Sequence, residues 1–193
     1  MTLHDDALET LRAWRSSDPG QTSLRDRFVA HLEAHPDGMT RECRPDHVTA
    51  GVVVLSTGLD HVLLNLHRKA QQWFHFGGHC EPGDLTLARA ALREGLEESG
   101  LPGLDLTAAP VELSEHSVPF CAPDQVVQHL DVRYAARVPA DVEPAVSDES
   151  LAVRWWPLDG LPPLQDEMHV LIGRARDVLG AQPSDAGSSL ASE

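Results

Sequence analysis

The sequence predicts an α/β fold, in which helices cover a sheet that contains a fully buried strand. Residues 48–55, VTAGVVVL, are β-branched and almost continuously apolar, which is typical of a strand buried on both faces. Further strand patterns occupy residues 111–137 and 151–156. Apolar residues at helical spacing occur at residues 3–17 and 165–179. Strand and helix patterns in one chain of this size favour helices packed on a sheet around one core.

Two helices are predicted before the first strand. The first is expected over residues 3–17, and the turn residues at 18–20 are expected to end it. Ser23 is the predicted cap of the second helix, which should stop at the Pro-Asp-Gly sequence of residues 36–38. We therefore expect residues 1–45 to form a helical extension packed on the main domain, either as a purely structural prefix or as a contact in a homodimer.

The remainder of the chain is expected to form one domain and a tail. Residues 57–60 supply a turn after the buried strand, and residues 61–66 are predicted to be the returning strand of a hairpin. The domain is predicted to span residues 46–180. Residues 181–193 are small and polar, and we expect them to be disordered.

Charge and composition limit the classes of partner. The formal net charge of the 193 residues is −15, so the protein repels phosphate backbones and general nucleic-acid binding is not expected. A small polyanionic substrate would need local positive charge or a metal ion to offset this repulsion. The three cysteines show no CxxC spacing, which predicts neither a disulfide framework nor a zinc knuckle and fits a reducing cytoplasm. No apolar run approaches the ~20 residues of a membrane span.

Residues 77–101, GGHCEPGDLTLARAALREGLEESGL, carry the most informative pattern. The glycine pair and the Pro-Gly-Asp sequence at residues 82–84 predict a loop with unusual backbone demands. Asp84 is the predicted N-cap of a helix over residues 85–99, and Gly100 fits the position just after its end. The apolar stripe of this helix is expected to comprise Leu85, Ala88, Leu92, Gly95, Leu96 and Ser99.

Three carboxylates lie together on the opposite side of the predicted helix. Glu94, Glu97 and Glu98 are spaced at i, i+3 and i+4, where like charges repel by a few tenths of a kcal/mol per pair, roughly. Arg93 offsets only part of this repulsion. A divalent cation would offset the rest, since magnesium prefers oxygen ligands and binds through few carboxylates together with substrate phosphates. The alternative is a solvated, glutamate-rich helix face.

The glycine loop and the acidic helix together resemble the Nudix box, G-x5-E-x7-R-E-U-x-E-E-x-G-U, where U is aliphatic. Arg93-Glu94, Glu97-Glu98, Gly100 and Leu101 match in register, and Gly78 is followed after five residues by the acid Asp84. The resemblance extends over about residues 46–180. It implies a Nudix α/β/α sandwich with a mixed β-sheet, to which the N-terminal helices are an addition.

Three features depart from the family pattern. Asp84 replaces the glutamate of the box, and eight residues rather than seven separate it from Arg93. The extra residue is expected at the junction of loop and helix. Gly95 occupies an aliphatic position, which lowers helix propensity by up to ~1 kcal/mol relative to alanine but permits close packing.

The resemblance implies a hydrolase that cleaves the phosphoanhydride of a nucleoside diphosphate linked to another moiety. Magnesium, or manganese in its place, would be bound by the Gly78 carbonyl with Glu94, Glu97 and Glu98, and Arg93 would orient Glu97 or Glu98 by ion pairing. The general base is expected to be Glu94 or Glu98, with Glu149 of the later SDES sequence as its rival. A metal ion would polarise the phosphoryl oxygens and acidify a bound water.

Residues around the box supply candidate contacts with a small nucleotide-type substrate. Arg68 and Lys69 offer positive charge for phosphates, although a solvated turn explains them equally well. Trp73 could stack on a base or pack in the core, and His79 follows Gly78 directly. A second metal site formed by His75, His79 and His129 with Asp131 is also conceivable, but their spacing matches no ligand pattern.

Two other functions compete with hydrolysis. A non-catalytic nucleotide sensor on the same scaffold would often lack box acids, and all three are present here. An isoprenoid isomerase-like enzyme would need a catalytic cysteine and glutamate in particular motifs. Neither Cys80 nor Cys121 lies in such a context.

Overall fold

The computed structural model describes residues 1–118, 126–146 and 150–181, and these residues form an eight-stranded mixed sheet between helices. The helices are α1 Leu3–Ala13, α2 Pro19–Ala34, α3 Leu87–Ser99 and α4 Asp166–Ala181. The strands are β1 Asp46–Ser56, β2 His61–His67, β3 Gln72–Phe74, β4 Phe76–His79, β5 Asp105–Leu106, β6 Glu112–Val118, β7 Val127–Val138 and β8 Ser150–Pro157. The predicted α/β/α sandwich is confirmed.

Strand β1 lies at the centre of the sheet. It pairs in parallel with β7 along its whole length and antiparallel with β2 and β4. Strand β6 pairs with the far side of β7, and β8 pairs with β2. All residues of β1 after Asp46 are buried, as the continuous apolar run predicts for a strand covered on both faces.

The two faces of β1 pack against different helices. Val48 and Ala50 belong to a core cluster with α1, α2 and α3, in which Phe28 and Leu87 are fully buried. Residues of the other face, such as Val53, pack against α4. Helix α4 covers the apolar residues of that second face and reaches the buried Arg133, whose Nη2 lies 3.9 Å from Glu167 Oε1. The first residues of β1 and β7 on this face are polar, and they include His47 and His129.

The N-terminal pair of helices is present, and the start of the first and the stop of the second agree with the prediction, but the other two boundaries are wrong. Helix α1 ends at Ala13, and α2 begins at Pro19 with Asp18 as its N-cap instead of Ser23. The Asp18 carboxylate accepts a hydrogen bond from the Gly20 amide at 2.8 Å. An aspartate followed by proline therefore starts this helix, because proline fits the first helical position, where its missing N–H costs nothing.

The start and the buried side of the box helix also differ from the sequence prediction. Thr86, not Asp84, caps α3, and Leu85 is 72% exposed in the preceding turn. Gly100 ends the helix in the left-handed conformation, with φ at 64°, as predicted. The buried residues of the helix are Leu87, Ala90, Ala91, Gly95, Glu98 and Ser99. Apart from Leu87 and Glu98 these buried residues are small, which allows the helix axis to approach the sheet closely.

Gly95 is the point of closest approach between α3 and β1. A Cβ atom added there would lie 2.6 Å from Val52 Cγ1 and 2.6 Å from Leu104 Cδ1. On α4, by contrast, a Cβ at Gly173 would meet no heavy atom within 4 Å. The two helical glycines thus separate the effect of helix propensity from that of packing.

We expect Gly95→Ala to lower the free energy of unfolding by about 1–2 kcal/mol, because overpacking costs about 1–3 kcal/mol and outweighs the gain in helix propensity. Gly173→Ala should raise it by about 0.5–1 kcal/mol, since only the propensity changes. Urea unfolding measures both. A Gly95→Ala protein as stable as Gly173→Ala would contradict the close contact with Val52.

Candidate active site

Arg93 joins the loop after β4 to helix α3. Its Nε and Nη2 atoms donate to the two carboxylate oxygens of Asp84 at 3.2 and 3.0 Å. Nη2 also donates to the carbonyl oxygen of His79 at 3.0 Å. The hydrogen bond to Asp84, followed by the nearby charge of Glu94, raises the pKa of Arg93 above its ordinary value. The shorter acid and the extra residue are thus compatible with an ion pair between loop and helix.

The same guanidinium holds two of the box carboxylates. Arg93 Nη1 donates to Glu94 Oε1 at 3.0 Å and to Glu97 Oε2 at 3.1 Å. The Glu94 side chain is largely buried beside the loop, whereas that of Glu97 is 60% exposed. Arg93 therefore fixes Glu94 within the site and draws Glu97 toward the surface.

Glu94 packs directly on the backbone of Gly78. A Cβ atom at Gly78 would lie 2.8 Å from Glu94 Oε1 and 2.9 Å from its carboxyl carbon. A side chain at this position would displace the carboxylate. Glycine is thus required here because the carboxylate of the helix occupies the space that a side chain would take.

Glu98 is anchored by the neighbouring glycine of strand β4. Its side chain is buried, and Oε2 accepts a hydrogen bond from the Gly77 amide at 2.9 Å. Asn65 Nδ2 lies 3.5 Å from the same oxygen. Gly77 in turn approaches β1 so closely that a Cβ atom would lie 2.7 Å from the Cα atom of Gly51. Strand β4, helix α3 and the central strand β1 therefore meet at this carboxylate.

The resulting group of atoms suits a hard divalent cation. Glu94 and Glu98 lie one helical turn apart and contact consecutive glycines, so two carboxylates and the loop backbone share one small region. All of the donors are oxygen atoms, which magnesium and manganese prefer. Glu97 does not join them in this structure, since it bonds to Arg93 and points outward.

The other predicted site residues are dispersed. Glu149 lies outside the described residues. Arg68 donates from Nη2 to the carbonyl oxygen of Ser150 at 3.1 Å, and Lys69 is exposed in the turn after β2. Trp73 packs edge-on against Trp156, with ring centroids 5.3 Å apart. Its ring is partly buried among the apolar side chains under α4, so packing explains its contacts here.

The histidines group differently from the sequence interpretation. His75 Nε2 lies 3.3 Å from Asp131 Oδ2. His79 instead contacts His47, with their Nε2 atoms 3.1 Å apart, and the ring of His129 lies beside both. His47 was missed because it is 32 residues from His79, and only the pairing of β1 with β4 brings them together.

A buried charge network that the sequence analysis also missed continues from these histidines along β7. Arg133, 1% exposed, donates to Asp131 at 2.8 Å and to Glu112 at 3.0 Å. Burial opposes the ionisation of Asp131, but Arg133 and the hydrogen bond from His75 hold its pKa well below the ordinary value. Burial raises the pKa of Glu112, although Arg133 opposes that shift. Such charges are tolerated when each has a partner. Asp131 and Arg133 occupy alternate positions of β7 and so share a face, which was a signal that the sequence contained.

No helix among the described residues has both the length and the apolar character to cross a bilayer. None of the curated protein sequences compared with the chain matched it. Solved structures do match. A hydrolase of the NUDIX family from Clostridium perfringens is 25% identical with a TM-score of 0.55, and the match covers 69% of this chain and 97% of that one.

Two further structures agree in fold. The MutT NUDIX hydrolase from Burkholderia pseudomallei is 25% identical with a TM-score of 0.50, over 67% of this chain and 97% of that one. The MutT protein from Methanosarcina mazei Go1 is 17% identical with a TM-score of 0.55, over 72% and 97%. The family model described as NUDIX domain matches residues 45–173, well over half of the sequence. The chain therefore belongs to the NUDIX family, and it is a Nudix hydrolase.

Proposed function

We propose that this Nudix hydrolase uses a divalent cation to cleave the phosphoanhydride bond of a nucleoside diphosphate linked to another moiety. Family membership supports the hydrolase class and a nucleotide-linked substrate. The observation that carries the proposal is the packing of Glu94 and Glu98 against Gly78 and Gly77. This packing brings together oxygen atoms that would bind a cation, and an acidic protein needs such a cation to attract a pyrophosphate.

Magnesium is the proposed ion, with manganese as a substitute. Glu94, Glu98 and the carbonyl of Gly78 would hold it, and Glu97 would join them by leaving Arg93. When bound, the ion supplies charge that polarises phosphoryl oxygens and makes a coordinated water more acidic. It also offsets the repulsion between substrate phosphates and a chain whose formal net charge is −15.

The proposed roles of the side chains are to hold the carboxylates in place, to act as the general base and to contact the substrate. Arg93 holds one oxygen of Glu94 at 3.0 Å and pins the loop through Asp84, so the carboxylate keeps its place when substrate arrives. We propose Glu94 or Glu98 as the general base, with Glu149 as the rival. Arg68 and Lys69, at the end of β2, are proposed to attract the phosphates, and His79 is a proposed substrate contact.

Other reactions have less support. Burial raises the pKa of Cys80 to about 12, so this thiol is protonated at neutral pH and unsuited to catalysis in an isomerase. A nucleotide sensor would not need two carboxylates held against the glycine loop. A nucleotide panel with magnesium that yields no phosphate or nucleotide product would favour the sensor.

Glu98→Gln should lower kcat/KM at least ~100-fold with magnesium, because it removes a charged ligand while preserving shape. The amide oxygen of glutamine can still accept from Gly77, so the protein should remain folded. The measurement is release of phosphate or nucleotide products across a panel of nucleoside triphosphates, nucleotide sugars, dinucleotides and coenzymes. Glu94→Gln should behave alike.

Glu81→Gln is the matched control, since Glu81 lies in the nearby loop between β4 and α3 and its side chain is 63% exposed. Its turnover should stay within about two-fold of the original protein, as for an ordinary surface substitution. Unchanged turnover in Glu98→Gln would remove this residue from the active site.

Gly78→Ala should lower kcat/KM by about 10- to 100-fold, because the new methyl group pushes the Glu94 carboxylate from its place and a shift of ~1 Å is costly to catalysis. Gly83→Ala tests the same substitution in the loop after β4, where a Cβ atom meets no heavy atom within 4 Å. Both variants are assayed with a substrate identified in the panel. Equal activity in the two would show that the contact between Gly78 and Glu94 is unimportant.

A further inference from the structure

Histidines from neighbouring strands meet at the polar end of the sheet. His47 on β1 and His129 on β7 are direct partners in the parallel pairing of these strands. His79 on β4 pairs two residues further along β1, opposite Thr49. Because alternate residues of a strand share a face, the pairing puts the three imidazoles on one side of the sheet. We call these residues the histidine trio.

The three rings are almost equally spaced. Ring centroids lie 5.0 Å apart for His47 and His79, 5.0 Å for His47 and His129, and 4.9 Å for His79 and His129. One nitrogen from each ring lies within 4.8 Å of the corresponding nitrogens of the other two. The closest pair is formed by the Nε2 atoms of His47 and His79, at 3.1 Å. A fourth imidazole, that of His116, lies beside His129 with centroids 5.6 Å apart.

These distances correspond to those around a tetrahedral ion. Zinc binds histidine nitrogen at about 2.0–2.1 Å, which separates two such nitrogens by roughly 3.3 Å. The contact of 3.1 Å between His47 and His79 is close to that value. The third nitrogen, within 4.8 Å, needs only a side-chain adjustment to complete the arrangement.

The backbone orients His47 in the way expected of a metal ligand. Its Nδ1 atom lies 3.2 Å from the carbonyl oxygen of Cys43, to which the protonated nitrogen donates. That hydrogen bond places the proton on Nδ1 and leaves the lone pair on Nε2, the atom that faces His79. A carbonyl partner for the second ring nitrogen is the common support of metal-bound histidine.

Burial favours the neutral imidazole, which is the form that binds metal. His47 is fully buried, and His79 and His129 are partly buried.

We propose that His47, His79 and His129 form a binding site for a transition-metal ion of the zinc class, separate from the carboxylate centre of the active site. Three nitrogen donors select zinc, cobalt or nickel over magnesium, which binds oxygen. The ion would tie the end of β4 to β1 and β7. Since His79 directly follows Gly78, the bound ion would also hold in place the part of β4 that contacts Glu94.

The test is a titration of the metal-free full-length protein with zinc against a chromophoric chelator. Glu94→Gln/Glu98→Gln serves as the background, because it removes the carboxylate centre as a competing site. One equivalent of zinc should bind in this background. Adding His47→Ala or His129→Ala should weaken the affinity at least ~100-fold. His169→Ala, which removes an exposed histidine on α4, should leave it unchanged.

Cobalt supplies a second readout that does not depend on any variant of the trio. Nitrogen ligands in tetrahedral geometry should give cobalt an intense visible absorption, whereas octahedral oxygen ligands give a weak one. Should an alanine variant unfold, His47→Gln and His129→Gln replace it, and circular dichroism checks each protein. Absence of stoichiometric zinc binding, binding that persists in both trio variants, or a weak octahedral cobalt spectrum would each overturn the proposal.

Discussion

The candidate active site depends on the ion pair between Arg93 and Asp84. Helix α3 carries the box acids, strand β4 carries the glycine pair, and Asp84 lies in the loop between them. Arg93 bonds to Glu94, to Asp84 and to the His79 carbonyl at the end of β4. The buried Asp84 carboxylate without this partner would lower the stability of the fold by roughly several kcal/mol. The pair therefore holds the loop and the helix together. The extra residue between Asp84 and Arg93 leaves this pair intact, and the intervening Leu85 side chain is 72% exposed.

Glycines determine how closely helix α3 and strands β1 and β4 approach one another. Gly95 lets α3 approach Val52, and Gly77 approaches Gly51 within the sheet. At Gly78 the space of a side chain is taken by the Glu94 carboxylate. Strand β1 therefore contacts both α3 and β4. On the opposite face of the sheet, β7 and β6 carry the charged network of Asp131, Arg133 and Glu112. The histidine trio lies at one end of this network.

The two centres bring their side chains together in different ways and present different donor atoms. At the carboxylate centre, helical spacing puts two acids one turn apart, and backbone glycines complete the group. At the histidine trio, strand pairing aligns side chains from three segments of the chain. Oxygen donors suit a hard ion at the first centre, and nitrogen donors suit a borderline ion at the second. His79 links them, since its carbonyl oxygen bonds to Arg93 and its ring faces His47.

The sequence by itself determined the features that arise from local spacing: the buried strand, the hairpin, the acids of α3, the glycine at its end and the resemblance to the Nudix box. The tertiary structure alone decided which acids turn inward, because the burial of Glu98 depends on Gly77 and the exposure of Glu97 on Arg93. It also decided the partner of His79. Residues far apart in sequence meet only through strand pairing, and hydrophobic periodicity contains no information about which strands become neighbours.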